Sequence, residues 1–357
     1  MSACRGCGEQ RLARVLDLGK TPPADHFPLP GEGETVHPLA MDVCDDCGLA
    51  QLAEDDTIAE EPRGVEPQAL RDQAATAVDR VADAGRLRGR TVREFGSPHG
   101  GSWLGLLAER GFTPVTDGPA DVVLDSFGIM HEPDQASAFR QRAAATAPDG
   151  VLLLQYHALE TIVAQGQWNA LRHGHFAYYS RSALRRLLAA VGMSIEAGWH
   201  FDLYGGTELV AAVHTAAASS APADADRDTV VARLKAGALQ RAADRHTEEL
   251  ADWLRERQRD GTTVAAYGAA SRAVALFSLA GVNRELVTAV ADASTAKHGR
   301  RMPGTDVPVV SPSDLVALDP DLVLMTLPDL LDEVTAQLPG LAGRWVCIDR
   351  LGARGYG

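Results

Sequence analysis

Residues 92–134 read VREFGSPHGGSWLGLLAERGFTPVTDGPADVVLDSFGIMHEPD, and this stretch decides the fold. An apolar strand at 91–95 enters a glycine turn at 96–101 and then a helical segment, which is how a nucleotide site in an α/β sheet begins. A second apolar strand, Asp121–Phe127, arrives after only nine residues, Phe112–Ala120. Such a site ordinarily places another strand, an acidic residue, a helix and a third strand in that interval. Asp117 lies about where a ribose-binding carboxylate belongs, yet only Gly118, Pro119 and Ala120 follow it. Adjacent parallel strands need a crossover of about a dozen residues or more. Segment 112–117 is therefore expected to be a loop or an edge excursion of a reduced sheet.

Working outward, the chain of 357 residues is 45% hydrophobic and long enough for two or three domains. Its formal net charge of −14 argues against a nucleic-acid partner, whose phosphates call for a basic face. No apolar run suggests a membrane span or leader, so a cytoplasmic protein is expected. Short apolar strands alternate with helical patterns from residue 91 to residue 214 and again from 264 onward, which predicts α/β sheets. Between them lie a small-residue linker at 215–228 and one charged amphipathic helix at 229–260. The predicted fold class is α/β in three modules: a small zinc-binding domain (1–65), a reduced Rossmann-like core (66–214) and, after the linker and helix (215–261), a C-terminal Rossmann-like α/β domain (262–357).

Four of the five cysteines fall in the first module as Cys4-Arg-Gly-Cys7 and Cys44-Asp-Asp-Cys47, each pair followed by glycine. Two such knuckles suit a tetrahedral structural zinc, and a reducing compartment disfavours disulfides. Cys347 sits in an apolar strand and is expected to be an inert core residue.

The phrases CRGCG (4–8), LDLGKTPPADHF (16–27), HPLAMDVCDDCGLAQL (37–52), EFGSPHGG (94–101), GIMHEPD (128–134) and RHGHFAYYS (172–180) resemble the SAM-dependent C-methyltransferases of nucleotide-linked deoxysugars in antibiotic biosynthesis. AYGAASRAVAL (266–276) and VADASTAKHGRRMPGTDVPVVSP (290–312) extend the resemblance to the C-terminal module. It implies a methyltransferase-like core and a C-terminal domain that helps hold a dTDP-type nucleotide sugar. The chain also departs from the family. The segment IAEEPRGVEPQAL (58–70) lacks the family's tyrosine, and Pro98-His99 replaces Asn-Asp in the glycine turn. Glu94, Gly96 and Gly100 are what remains of the cofactor loop, and SAM is expected to be absent.

In the resembled enzymes a Tyr-His-Glu-His motif supplies the base that removes a proton beside the sugar ketone. Here it reads Arg172-His173-Gly174-His175, so His175 matches the base, with His173 on the same side if the backbone is extended. A neutral imidazole suits general-base work near pH 7. Tyr204 stands where the family has a histidine, and Arg172 and Tyr178 flank the site. His131-Glu132 reads as a helix start, with a capping role as open as a catalytic one; His157 ends a strand, and Ser180 reads as a helix cap. For the substrate phosphates the candidates are the turn at Gly268, with Ser271 and Arg272, and the basic residues Lys297, Arg300 and Arg301.

Three functions follow. The first is a SAM-independent epimerase or isomerase of a nucleotide-linked keto-sugar. The second is a SAM-dependent sugar C-methyltransferase, and the third a non-catalytic relative that binds a nucleotide sugar or a partner enzyme. The sequence leaves the oligomeric state and the sugar open.

Overall fold

The computed structural model describes residues 3–57, 66–96, 101–215 and 225–351. In the first module β1 (Leu12–Thr21), β2 (His37–Cys44) and β3 (Ala50–Leu52) pair antiparallel. The core begins with α1 (Gln68–Asp83), β4 (Thr91–Phe95), α2 (Leu104–Ala108), β5 (Thr113–Pro114) and β6 (Ala120–Ser126). It continues with α3 (Gln135–Ala145), β7 (Thr146–His157), α4 (Leu159–Gln165), β8 (Ala177–Tyr178), α5 (Arg181–Ala189), β9 (Met193–Phe201) and β10 (Thr207–His214).

The core sheet has the order β5-β4-β6-β7-β10-β9, parallel up to β7 and antiparallel beyond it. β5 lies on the opposite side of β4 from β6 and pairs only at Thr113 and Pro114. It is the edge excursion expected from the short connection. Pro114 has no N–H to offer an outer neighbour, which suits it to a sheet edge. β6 reads as continuous Val-Val-Leu because both faces of a central parallel strand are covered.

The expected single helix at 229–260 is two, α6 (Ala225–Lys235) and α7 (Ala238–Arg259). Gly237, at φ +75°, breaks it in a conformation that favours glycine. The last module holds β11 (Val264–Tyr267), α8 (Ser271–Leu279), β12 (Val290–Ala291), β13 (Val309–Val310), α9 (Pro312–Leu318), β14 (Leu322–Met325), α10 (Leu331–Gln337) and β15 (Trp345–Cys347). Its sheet, β13-β12-β11-β14-β15, is wholly parallel.

The modules are not independent bodies. β8 of the core completes the sheet of the first module by pairing with β3. One apolar cluster runs from Leu16 and Met41 through Trp168 and Leu184 to Leu254 and Phe277, joining all three. Among the described residues no helix is long and apolar enough to cross a membrane.

Candidate functional site

The four N-terminal cysteine sulfurs lie within 4.8 Å of one another. Cys4 and Cys47 are 3.5 Å apart, and Cys7 and Cys44 are 3.6 Å apart. Sulfurs about 2.3 Å from a tetrahedral zinc would stand about 3.8 Å apart, so the cluster fits that ion. Both knuckles turn as the glycines predict: Gly8 N donates to Cys4 O and Gly48 N to Cys44 O, each glycine at a φ near +80°. Thiols this close do not ionise independently. The hydrogen bond from Cys47 lowers Cys4 to about 5, while burial raises Cys7 to about 11. A divalent cation would hold all four as thiolates.

A cavity of about 240 Å³ opens at the C-terminal ends of β4, β6 and β7. The core lines it with Trp103, Phe127, His157, Arg172, His175 and Tyr204; the N-terminal end of α1 adds Glu66 and Leu70, and the C-terminal module adds Ser271 and Arg272. Such a position, beyond the carboxyl ends of parallel strands, is where α/β sheets bind ligands. Phe127 and Tyr204 adopt left-handed backbone conformations, φ 59° and 56°, and their rings meet edge to face at 6.2 Å. Two strained non-glycine residues in contact mark this wall as over-determined by its surroundings.

His175 is buried in this wall. Its Nε2 lies 2.7 Å from Nε of Arg172, and its ring packs 4.3 Å from that of His131. A guanidinium cannot accept, so Nε2 is the acceptor and the imidazole is neutral. His173 corrects the expectation of two rings on one side. Gly174 turns the chain at φ +78°, and His173 faces the first module, with Nε2 3.1 Å from the carbonyl of Pro38. The segment is a turn rather than a strand, so i and i+2 diverge.

Tyr204 lines the cavity, with Arg272 over its ring at 5.4 Å, and burial raises its phenol pKa. Tyr178 also lines it, but its hydroxyl donates to Ala170 O and accepts from Arg172 N, so it braces the loop. Arg272 reaches across the domain boundary and donates to Nδ1 of His157 at 3.0 Å. Burial, and then the charge of Arg172, lower Arg272 to about 10. Burial also holds His157 well below the usual histidine range, with Arg272 adding to the effect.

Other expected phosphate ligands are elsewhere. Gly268, φ +98°, donates its amide to Ala291 O and accepts from Thr326, while the next amide, Ala269, is held by Asp292. Lys297 is tied to Ala269 O and Asp292 and lies over Phe27. Arg300 donates to the carbonyls of Phe27 and Ala296; Arg301 pairs with Glu34 and donates to Glu32 O. Three cations that read as substrate groups are struts that fix the C-terminal module and dock it on the first.

On the cofactor side, Glu94 lines the cavity but accepts from Ser102 Oγ and Trp103 N, which orders the turn. Gly96 lies at the exposed end of β4, and Gly100, with Pro98 and His99, lies outside the described residues. Asp117 is exposed, bonds to Thr116 and does not line the cavity. Asp117 is thus not placed as a ribose ligand in this cavity. His131 and Glu132 do not start α3, which Asp134 caps through Ser137 N. His131 holds Gly174 O and Glu132 meets Arg142. Ser180 caps α5 as expected. Sequence reasoning missed Phe127, Trp103 and Glu66, whose convergence depends on contacts between separate elements and leaves no local pattern.

Three family models match the chain in order: "Putative zinc binding domain" over residues 4–57, "Methyltransferase domain" over residues 74–197 and "C-methyltransferase C-terminal domain" over residues 213–348. The C-methyltransferase NovU of Streptomyces niveus is 27% identical over 394 aligned residues, covering 92% of this chain and 91% of its own. Among solved structures, the PH0226 protein of Pyrococcus horikoshii OT3 is 14% identical over 43% of this chain and 94% of its own, with a TM-score of 0.34. Magnesium protoporphyrin IX methyltransferase from Synechocystis PCC 6803 with bound SAM is 14% identical over 42% and 81%, with a TM-score of 0.29. These structural likenesses reach part of the chain and carry no argument about its chemistry.

Proposed function

We propose, on the premise that this chain belongs to the family of C-methyltransferases built from a zinc-binding domain, a methyltransferase domain and a C-terminal domain, that it enolises a nucleotide-linked keto-deoxysugar without SAM and returns the proton to give an epimer or isomer. The observation that carries this reading is that a neutral His175 faces the cavity while Asp117 stands outside it.

In this mechanism Nε2 of His175 takes the proton from the carbon beside the ketone. The C–H electron pair forms the carbon–carbon double bond, and the carbonyl pair moves onto oxygen as an enolate. The positive field of the two guanidiniums in this wall, Arg172 and Arg272, favours that negative charge without their contacting it. Tyr204, kept protonated by its raised pKa, donates to the carbon from its own wall of the cavity and is reprotonated from solvent, which receives the proton from His175.

Methyl transfer is the second reading, favoured by the family and by the C-methyltransferase relative. SAM would supply an electrophilic methyl group to the same carbanion. The deciding experiment incubates a dTDP-4-keto-6-deoxysugar with the protein in D2O. Deuterium beside the ketone and a new isomer in the absence of SAM are expected, both lost in His175→Gln. Methylated product with SAM, and no exchange without it, would establish the second reading instead.

A further inference from the structure

The Arg172–His175 contact places a cation on the lone pair that a base must use. The donor sense is fixed because a guanidinium has only N–H groups. Local chain geometry fixes the proximity: His175 N donates to Arg172 O, and Asp55 of the first module holds Gly174 N at 2.7 Å. Around His175 stand His131 at 4.3 Å and Tyr178 at 6.5 Å between ring centroids, with Arg172 over Nε2.

Arg172 shares the cavity wall with a second guanidinium. Arg272 enters from the C-terminal module on the first turn of α8, whose Ala270 and Ser271 also line the cavity. Its named contacts are the neutral His157 and the Tyr204 ring, and the charge of Arg172 works against its own. Two like charges from different domains line one cavity beside a helix N-terminus, an arrangement that suits an anion. A phosphate there would contact the guanidinium that lies on Nε2 of His175.

We propose that Arg172 is a latch on His175, withdrawn when a phosphate of the nucleotide substrate binds between Arg172 and Arg272 and thereby frees Nε2. The base is uncovered only after the charged end of the substrate is seated. This ties proton abstraction to nucleotide-linked sugars and keeps the imidazole from acting on free ketones. Arg172 is thus a positioning residue, and the proposal rests on the reading of His175 as the base.

The test is 15N NMR titration of His175, assigned with His175→Gln, with dTDP and thymidine as probes. In the protein alone, His175 should show the Nδ1–H tautomer and titrate at least one pH unit below its value in Arg172→Gln. Saturating dTDP should raise the wild-type titration by a similar amount. Thymidine, which lacks phosphate, should leave it in place, and Arg272→Gln should abolish the dTDP effect. Equal titration with and without dTDP in the wild type would overturn the latch, as would an equal shift by thymidine or a failure of dTDP to bind. The wild-type arms suffice if a variant does not fold. Because these measurements need no turnover, persistence of deuterium exchange in His175→Gln would remove the base reading separately.

Discussion

Nη2 of Arg272, in the first turn of α8, lies 3.0 Å from Nδ1 of His157 at the end of β7. The bond joins the C-terminal module to the core at the wall of the cavity and leaves the rest of the guanidinium facing it. Arg272→Met keeps much of the side-chain volume and removes the charge. Hydrogen bonds to charged groups contribute about 1.5–3 kcal/mol, so dTDP affinity should fall roughly ten- to a hundredfold by calorimetry. An unchanged dissociation constant would place the nucleotide elsewhere.

Histidines held neutral by burial give the fold a defined acid response. His157, His173 and His246 all titrate below their ordinary value, burial being the largest cause in each; Arg272 adds to it at His157 and Arg245 at His246. The unfolded chain binds these protons first, so their stabilisation is complete above about pH 6.5 and is lost as pH falls toward the folded values. Urea midpoints should decline from pH 6.5 to pH 5. His157→Gln should flatten part of that decline, and a slope unchanged by it would exclude His157 as a contributor.

The difference between His157 and His175 shows what was legible in the sequence. The strand at 91–95, the turn after it and the shortened connection to β6 are local patterns of apolarity, glycine and length; they limited 112–117 to a loop, an edge excursion or a smaller sheet, and the structure makes it the edge strand β5. His175 was legible by its motif. Its neighbour Arg172 meets it across a turn in which Gly174 is left-handed, and alternation along an extended chain predicts the opposite placement of His173. The Arg272–His157 bond and the pairing of β8 with β3 join residues far apart in the chain, and no local pattern marks them. Arg300 looked like a phosphate ligand because it is basic in an acidic chain; its partners are backbone carbonyls, which every residue carries.

The cysteine cluster predicts one zinc per chain. Cys44 is buried at the end of β2, at the joint between the knuckle and the sheet shared with β8. Cys44→Ser should reduce zinc content by elemental analysis and lower Tm, because binding energy in such sites is folding energy. Cys347→Ser, in β15 far along the chain, should retain full zinc. A Cys44→Ser protein with unchanged Tm and no metal would refute the structural role.

Gly174 sends His173 and His175 to opposite sides, and among the described residues nothing lies within 4 Å of where its Cβ would be. Gly174→Ala therefore meets only the backbone penalty of a left-handed residue, about 1–2 kcal/mol. If the chain relieves that strain by straightening, His175 is carried out of the cavity wall. A modest loss of Tm with a larger loss of deuterium exchange is expected. Wild-type exchange would show that the turn does not aim the base.

Arg301 separates a docking role from a substrate role. It pairs with Glu34 of the first module, with the two side chains 15% and 11% exposed, and also donates to Glu32 O and Thr305 O. Arg301→Ala strands Glu34 in a nearly dry interface, where an unpaired charge costs about 1–3 kcal/mol or more. Glu34→Gln with Arg301→Met removes both charges and should restore much of that loss. Because Arg301 does not line the cavity, dTDP affinity should stay within about twofold in both variants, whereas a phosphate ligand would lose at least tenfold. Denaturation and calorimetry on the same two proteins thus distinguish a strut between modules from a group that holds the nucleotide.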